Sequence, residues 1–357
     1  MSTLRFGLIG CGRISKRHAE VLKSLPSAEL VAACDIRRDR AERFGREHGV
    51  PCYLSAEEML DKEQLDVVNI LTPSGNHADI VIAIAGRVAN IIVEKPMALR
   101  LDDADRMIAA CDESKTRLFV VKQNRYNVPV VKLREAVEEG RFGKMVMGTV
   151  RVRWTRTQEY YDQDEWRGTW AMDGGVLANQ ASHHIDLLVW MMGEVESVMA
   201  MTATRLVDIE TEDTGVVLLR FRDGALGVIE ATNATRPKDL EGSISILGER
   251  GTVEIGGFAV NEMKIWNFEN PREEDGSVLE RYRSNPPDVY GFGHYEYIKA
   301  VIDAIREERK ALVDGLEGRK SLELINAIYE SVETHREVFL RFKPQKCKLG
   351  TGNRNGL

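Results

Sequence analysis

The segment Gly10-Cys11-Gly12-Arg13-Ile14-Ser15 joins the apolar run Leu4–Ile9 to the amphipathic stretch Ile14–Leu25. Two glycines between a buried strand and a helix let the backbone turn tightly and approach a ligand, which the helix N-terminus then faces with unpaired N–H groups. The spacing is GxGxxS, a variant of the dinucleotide fingerprint in which Ser15 is still small enough for the helix to pack on the strand. A glycine-rich turn alone also occurs in other α/β folds. Here Asp35 follows the second apolar run, about 20 residues on, where an acid accepts hydrogen bonds from ribose hydroxyls. The combination predicts a nicotinamide dinucleotide site, with Gly10, Gly12, Arg13 and Ile14 at the pyrophosphate and Asp35 at the ribose. A carboxylate there repels a 2′-phosphate, so NAD is expected rather than NADP. Arg37 is added to the expected cofactor contacts, where with Arg38 it counters that charge or stacks on the adenine; the alternative for both is a solvated charge.

The rest of the first third repeats this alternation. Strand-like runs at Leu30–Cys34, Val67–Leu71, Ile91–Val93 and Leu118–Val121 are separated by helical patterns at Arg40–His48, Ala78–Ala85 and Ala104–Ser114. Near-continuous apolar strands between helices indicate a parallel sheet covered on both faces, so residues 1–122 are expected to form a doubly wound α/β, Rossmann-type domain. From Met145 the pattern becomes long alternating strands with tight turns such as Asp223-Gly224, the mark of an antiparallel sheet with one covered face. Residues 123–342 are therefore expected to form an α+β domain with a large, mostly antiparallel open sheet. Its helices are expected at Arg134–Glu139, Val176–Met192, His294–Glu308 and Glu317–Phe339. Residues 270–288 suggest a surface loop and 343–357 a poorly ordered, flexible tail.

Composition limits the partners. The 357 residues carry Lys+Arg 49 against Asp+Glu 56, a formal charge of −7, which argues against nucleic acid or an anionic membrane as partner. The most apolar stretch, Ile80–Val93, contains Arg87 and Asn90 and falls short of the ~20 residues of a membrane span. The first strand-like run begins at Leu4, so no leader is expected and a cytoplasmic location is the default. The five cysteines are scattered without CxxC spacing, and no His/Cys/Asp cluster has zinc spacing, so neither disulfides nor a metal is expected.

Two further segments end strands where such a sheet meets its ligand: Thr72-Pro73-Ser74-Gly75-Asn76-His77 and Glu94-Lys95-Pro96. Thr72, Pro73, His77, Glu94 and Lys95 are therefore added to the expected cofactor contacts. Taken with GCGRIS and the later GGVLANQASHHID, these motifs resemble, in order and spacing over nearly the whole chain, the Gfo/Idh/MocA oxidoreductase family. The resemblance implies that Lys95 reaches the substrate hydroxyl beside the nicotinamide and that His183 serves as acid/base. Helical spacing of ~100° per residue supports His183 separately, placing Asn179, Ser182, His183 and Asp186 on one face of the expected helix, away from Leu177, Ile185 and Leu188. His184 falls toward the apolar side and is expected to be a packed histidine. Where the family commonly has an aspartate four residues before the histidine, this chain has Asn179, which suits substrate orientation better than a proton relay.

The runs VKQNRYN, Tyr160-Tyr161 and Trp166-Arg167-Gly168-Thr169-Trp170 are similar, within the family, to bacterial UDP-N-acetylglucosaminuronate 3-dehydrogenases. That likeness implies NAD-dependent oxidation of the sugar C3 hydroxyl on the way to uronic acids of lipopolysaccharide and other surface polysaccharide. Arg125, Tyr161 and Arg167 are then the expected substrate contacts beside Lys95, Asn179 and His183. Two other readings stay open, a dehydrogenase of a free sugar or cyclitol and a dinucleotide-sensing protein without chemistry. The open face of the second sheet, with the family resemblance, suggests a homo-tetramer.

Overall fold

The computed structural model describes residues 3–283, 292–341, 344 and 346–352. The chain divides into two compact units, Met1–Lys122 with His294–Arg319, and Gln123–Gly293 with Lys320–Leu357.

In the first unit β1 (Leu4–Ile9), α1 (Arg13–Ser24), β2 (Ala28–Cys34), α2 (Arg38–His48), β3 (Cys52–Tyr53), α3 (Ala56–Lys62), β4 (Val67–Ile70), α4 (His77–Ile84), β5 (Asn90–Val93), α5 (Leu101–Ser114) and β6 (Arg117–Val120) follow one another. The six strands form one sheet in the order β3-β2-β1-β4-β5-β6, all parallel. Consecutive residues such as Val67 and Val68, or Ile91 and Ile92, are fully buried, because helices cover both faces. The order reverses between β1 and β4, where doubly wound sheets receive ligands at the strands' carboxyl ends. The expected parallel Rossmann sheet is thus present. Its β3 and α3 have no counterpart among the expected elements: β3 is two residues long, and α3 buries only Met59, too little for a visible period.

The second unit contains α6 (Val128–Glu138), β7 (Met145–Arg153), α7 (Gln158–Tyr161), α8 (Ser182–Met192), β8 (Val195–Ala203), β9 (Thr214–Phe221), β10 (Leu226–Thr232), β11 (Glu241–Gly248), β12 (Gly251–Gly256), β13 (Glu262–Phe268) and α9 (Val278–Arg281). Next come α10 (Gly293–Arg306), which groups with the first unit from its second residue, α11 (Gly315–Thr334), whose first turn does the same, and β14 (Val338–Phe339). The sheet has eight strands in the order β13-β12-β11-β7-β10-β9-β8-β14 and is antiparallel except between β7 and β10. This is the mostly antiparallel sheet that the alternation implies. α8 lies on its covered face, where Gly148 makes room: a Cβ there would sit 2.7 Å from Leu188 Cδ1.

Several local features differ from the sequence expectations. α8 begins at Ser182, not Val176; the Ala181 N–H reaches back five residues to the Val176 carbonyl, so residues 176–181 are irregular turns that become α-helical only as Ile185 bonds to Ala181. The part of 270–288 within the described residues is helical over Glu273–Arg281 and held by a bidentate Arg141–Asp275 pair at 2.6 and 2.9 Å. The helix expected to run to Phe339 ends at Thr334, and Val338–Phe339 pair with β8. Of the expected tail, residues 343, 345 and 353–357 lie outside the described residues. Leu349, by contrast, is buried, and the Gly350 N–H donates to the Trp170 carbonyl at 2.7 Å. Among the described residues no helix is long and apolar enough to cross a membrane.

Candidate active site

At the switch point Gly10 has φ +101°, and a Cβ on it would lie 2.8 Å from the Leu71 carbonyl oxygen and 3.1 Å from the Thr72 nitrogen. Only glycine fits there. Gly12, the residue preceding α1, would direct a Cβ into open space, with nothing within 4 Å. It offers no side chain to cap α1, which leaves the first N–H groups of a twelve-residue helix for an anion. Arg13 is exposed and Ile14 half-buried at that first turn. Ser15 is fully buried, its hydroxyl donating to the Gly12 carbonyl at 2.6 Å. The Asp35 carboxylate accepts the Cys11 N–H and the Arg37 N–H, both at 2.8 Å, which ties it to the glycine turn and to the start of α2. The Arg37 guanidinium lies 3.2 Å from Asp39 at the surface. Open backbone, helix end and fixed carboxylate together suit a dinucleotide.

After β4, Thr72 and Pro73 are half-buried, and His77 opens α4 fully inside. Its Nε2 lies 2.9 Å from the Thr72 carbonyl and its Nδ1 2.9 Å from the Pro96 carbonyl, and burial pushes its pKa down. Glu94 follows β5 and is also buried; the Lys95 N–H donates to its Oε2 at 3.0 Å. Burial alone would raise its pKa, but hydrogen bonds from His18 and His294 hold it well below the usual carboxylate range. Lys95 is half-buried and joined to Pro96 by a cis peptide. The ligand atoms of His18, Glu94 and His294 lie within 4.8 Å of one another. Nothing in a spacing of residues 18, 94 and 294 signals that cluster.

In the second unit His183 is the second residue of α8 and is buried, its Nε2 2.9 Å from the amide nitrogen of Gln123. His184 is packed inside, edge-on to Trp154 with centroids 5.6 Å apart. Arg125 donates to both oxygens of Asp186 at 2.7 and 2.9 Å and lies over the Trp190 ring at 4.8 Å. Residues 183, 186 and 190 recur at helical spacing, so the short 3-10 turn Gln123–Tyr126 grips one face of α8. Asn179 lies in the irregular turns and donates its amide to Asp173, which also accepts the Gly168 N–H at 2.8 Å.

The Tyr161 hydroxyl accepts from the Asn233 amide at 2.9 Å, and that amide also donates to Gln180 at 2.9 Å, which links α7, the end of β10 and the turns before α8. Arg167 donates to the Tyr160 hydroxyl at 2.8 Å and stacks between Tyr160 and Trp166, 4.6 Å from each centroid. Tyr161, Arg167 and Asn179 thus share one connected region before α8, whereas Arg125 is engaged with Asp186 and Trp190 on one face of the helix itself. Behind the turns Glu212 accepts the Leu177 N–H at 3.0 Å and the Tyr329 hydroxyl at 2.9 Å; burial pushes its pKa up to about 7. Gln123, Asp173, His18 and His294 are additions that the motifs did not single out. His18 carried the one visible hint, a histidine on the buried stripe of the helix that follows the glycine turn.

Comparison with known proteins gives consistent results. Residues 4–122 match the family model described as the oxidoreductase family NAD-binding Rossmann fold, and residues 134–340 its C-terminal alpha/beta domain. The structure of the WlbA dehydrogenase from Bordetella pertussis, in complex with NADH and UDP-GlcNAcA, is 46% identical with a TM-score of 0.92, covering 96% of this chain and 99% of that one. The WlbA dehydrogenase from Chromobacterium violaceum, solved with the same two ligands, is 45% identical with a TM-score of 0.89, covering 95% and 96%. Myo-inositol 2-dehydrogenase of Thermotoga maritima is 31% identical over 352 residues, 94% of this chain and 98% of that protein.

Proposed function

The chain belongs to the Gfo/Idh/MocA oxidoreductase family and carries that family's NAD-binding domain, and from this premise we propose that it oxidises the C3 hydroxyl of UDP-N-acetylglucosaminuronic acid to a ketone. The observation that carries the reading is the 46% identity, over 96% of the chain, to a dehydrogenase solved with NADH and UDP-GlcNAcA. The product would feed the synthesis of bacterial surface polysaccharide, in the cytoplasm.

When bound, NAD supplies the hydride acceptor. Gly10 and Gly12 let the backbone approach its pyrophosphate at the N-terminus of α1, and Asp35 receives the ribose hydroxyls. Lys95 holds the reacting hydroxyl oxygen and offsets the charge that develops on it, while His183 takes its proton. The Gln123 amide N–H holds the Nε2 lone pair until the substrate hydroxyl replaces it there, and Asn179, held by Asp173, orients the sugar. Arg167 and Tyr161 serve the diphosphate and uronate end, where the stacked guanidinium suits an anion. Arg125, engaged with Asp186, serves the substrate through the placement of α8.

Oxidation of a free cyclitol is the competing reading, supported by the 31% likeness to myo-inositol 2-dehydrogenase. Mixing the purified protein and NAD with a panel of UDP-sugars, uronic acids and inositols, under single-turnover as well as steady-state conditions, tests both. NADH formed with the UDP-uronate and not with inositol supports the proposal; the reverse pattern would sink it.

We also propose a homo-oligomer, with a tetramer as its form. The uncovered sheet face exposes Met199, Met201, Val216, Leu218 and Leu226, where Met199 pairs with Leu218 and Met201 with Val216. Beside this stripe Arg151 and Arg153 alternate with Glu230, Glu241 and Glu254 in ion pairs, a mixed-sign surface suited to a second copy of itself.

A further inference from the structure

Glu94 places a buried carboxylate one residue before Lys95, and its two oxygens are used in opposite directions. Oε1 lies 2.9 Å from His18 Nε2. On the far side of that ring Nδ1 lies 3.0 Å from the Asn69 amide nitrogen, so Nδ1 accepts and the proton on Nε2 is donated to Glu94. His294 stands edge-on to His18, centroids 5.7 Å apart, with its Nε2 3.8 Å from the same carboxylate oxygen. All three side chains are less than one-tenth exposed. Oε2 points the other way and accepts the Lys95 N–H at 3.0 Å. Beyond Lys95 the Pro96 carbonyl meets His77 at 2.9 Å. The backbone carrying Lys95 is thus fastened on both sides, by side chains from α1, β4, α4 and α10 and by Glu94, the residue after β5.

We propose that His18 and His294 are positioning residues for the oxidation: they fix the Glu94 carboxylate, and Glu94 fixes the peptide that aims Lys95 at the reacting hydroxyl. The inference rests on the reading of Lys95 given above. The same trio has the composition of a metal site, but a metal needs the lone pair of His18 Nε2, and the Asn69 contact leaves a proton there. Nor does the cluster act only as core packing. A packed core requires no acceptor aimed at the one peptide N–H that precedes the lysine side chain.

The test uses the full chain, NAD and whichever sugar of the panel reduces it, so the comparison holds even if the sugar assignment fails. His18→Leu and Glu94→Gln are expected to lower kcat by about 10–100-fold, the cost of a misplaced reacting group. KM for the sugar and the NADH Kd, read by fluorescence titration, are expected to stay within about threefold, a split that marks loss at the chemical step. His18→Gln, whose amide N–H reaches toward the same carboxylate, is expected to recover most of the loss. Undiminished kcat in His18→Leu and Glu94→Gln, or a fall matched by lost NADH-binding protein, would overturn the proposal. So would one equivalent of zinc whose removal by chelation abolishes turnover. If His18→Leu yields no folded protein, Glu94→Gln decides by the same criteria. Lys95→Ala run in parallel separates the two levels: full activity there refutes the lysine reading itself, whereas an inactive Lys95→Ala beside an active His18→Leu refutes only the positioning role.

Discussion

The amide nitrogen of Gln123 lies 2.9 Å from Nε2 of His183, and both side chains are buried. An amide nitrogen only donates, so this contact occupies the Nε2 lone pair. For the proposed proton transfer the substrate hydroxyl has to replace the amide there, and until then Gln123 keeps the ring in place. Gln123→Ala is expected to lower kcat about tenfold with the NADH Kd unchanged, because the loss falls on the orientation of one group. Steady-state kinetics beside NADH titration checks this, and unchanged kcat would mean that the sheet and α8 alone hold the ring.

Gly10 and Gly12 separate folding from ligand binding within one motif. Alanine at 10 meets the Leu71 carbonyl at 2.8 Å with φ at +101°, so Gly10→Ala should lower the melting temperature as well as NADH affinity, at a cost of about 1–3 kcal/mol. Alanine at 12 meets no protein atom within 4 Å, so Gly12→Ala should melt like the wild type yet bind NADH weakly. Thermal melts with and without NADH read both effects, and tight NADH binding by Gly12→Ala would count against the pyrophosphate assignment.

Glu212 gives a pH signature. Its folded pKa of about 7 lies above the ordinary 4.5, so the folded state holds the proton more tightly than the unfolded chain does. Its contribution to stability is therefore complete below about pH 4.5 and lost as pH rises through about 7. The wild type should lose melting temperature between about pH 5 and pH 8 relative to Glu212→Gln, which keeps the shape without the charge. Parallel melting curves across that range would contradict the assignment.

For the sheet face, the paired substitutions Met201→Glu and Leu218→Glu place like charges on an apolar stripe where the native side chains are 78% and 56% exposed. Sedimentation should show the wild type as an oligomer and the double variant as smaller species. A monomeric wild type would refute the proposed assembly.

The architecture was legible in the sequence because each level pointed the same way. Continuous apolar runs gave the parallel strands, alternation gave the antiparallel ones, and the glycine turn with Asp35 gave the switch point. Where signals conflicted, reading failed. Residues 176–181 carry helical periodicity, yet Glu212 takes the Val176 and Leu177 N–H groups and α8 starts only at Ser182. Asn179 and His183 are consequently not successive turns of one helix, and the partner of Asn179 is Asp173. The Glu94 anchor was invisible for a different reason: His18, Asn69, Glu94 and His294 come from four distant segments, and only the folded sheet brings them together. Arg125 illustrates a third limit, since an arginine beside a site motif reads as an anion ligand until its buried partner, here Asp186, is seen.

The central claim is oxidation at one carbon of one sugar, and isotope transfer tests it most directly. UDP-N-acetylglucosaminuronic acid carrying deuterium at C3 is mixed with the enzyme and NAD in a single turnover, and the reduced cofactor is examined by mass spectrometry. Deuterium in the NADH, with a ketone at C3 of the sugar, is the expected result. Reduced cofactor without the label, or none formed while myo-inositol yields it, would contradict the account.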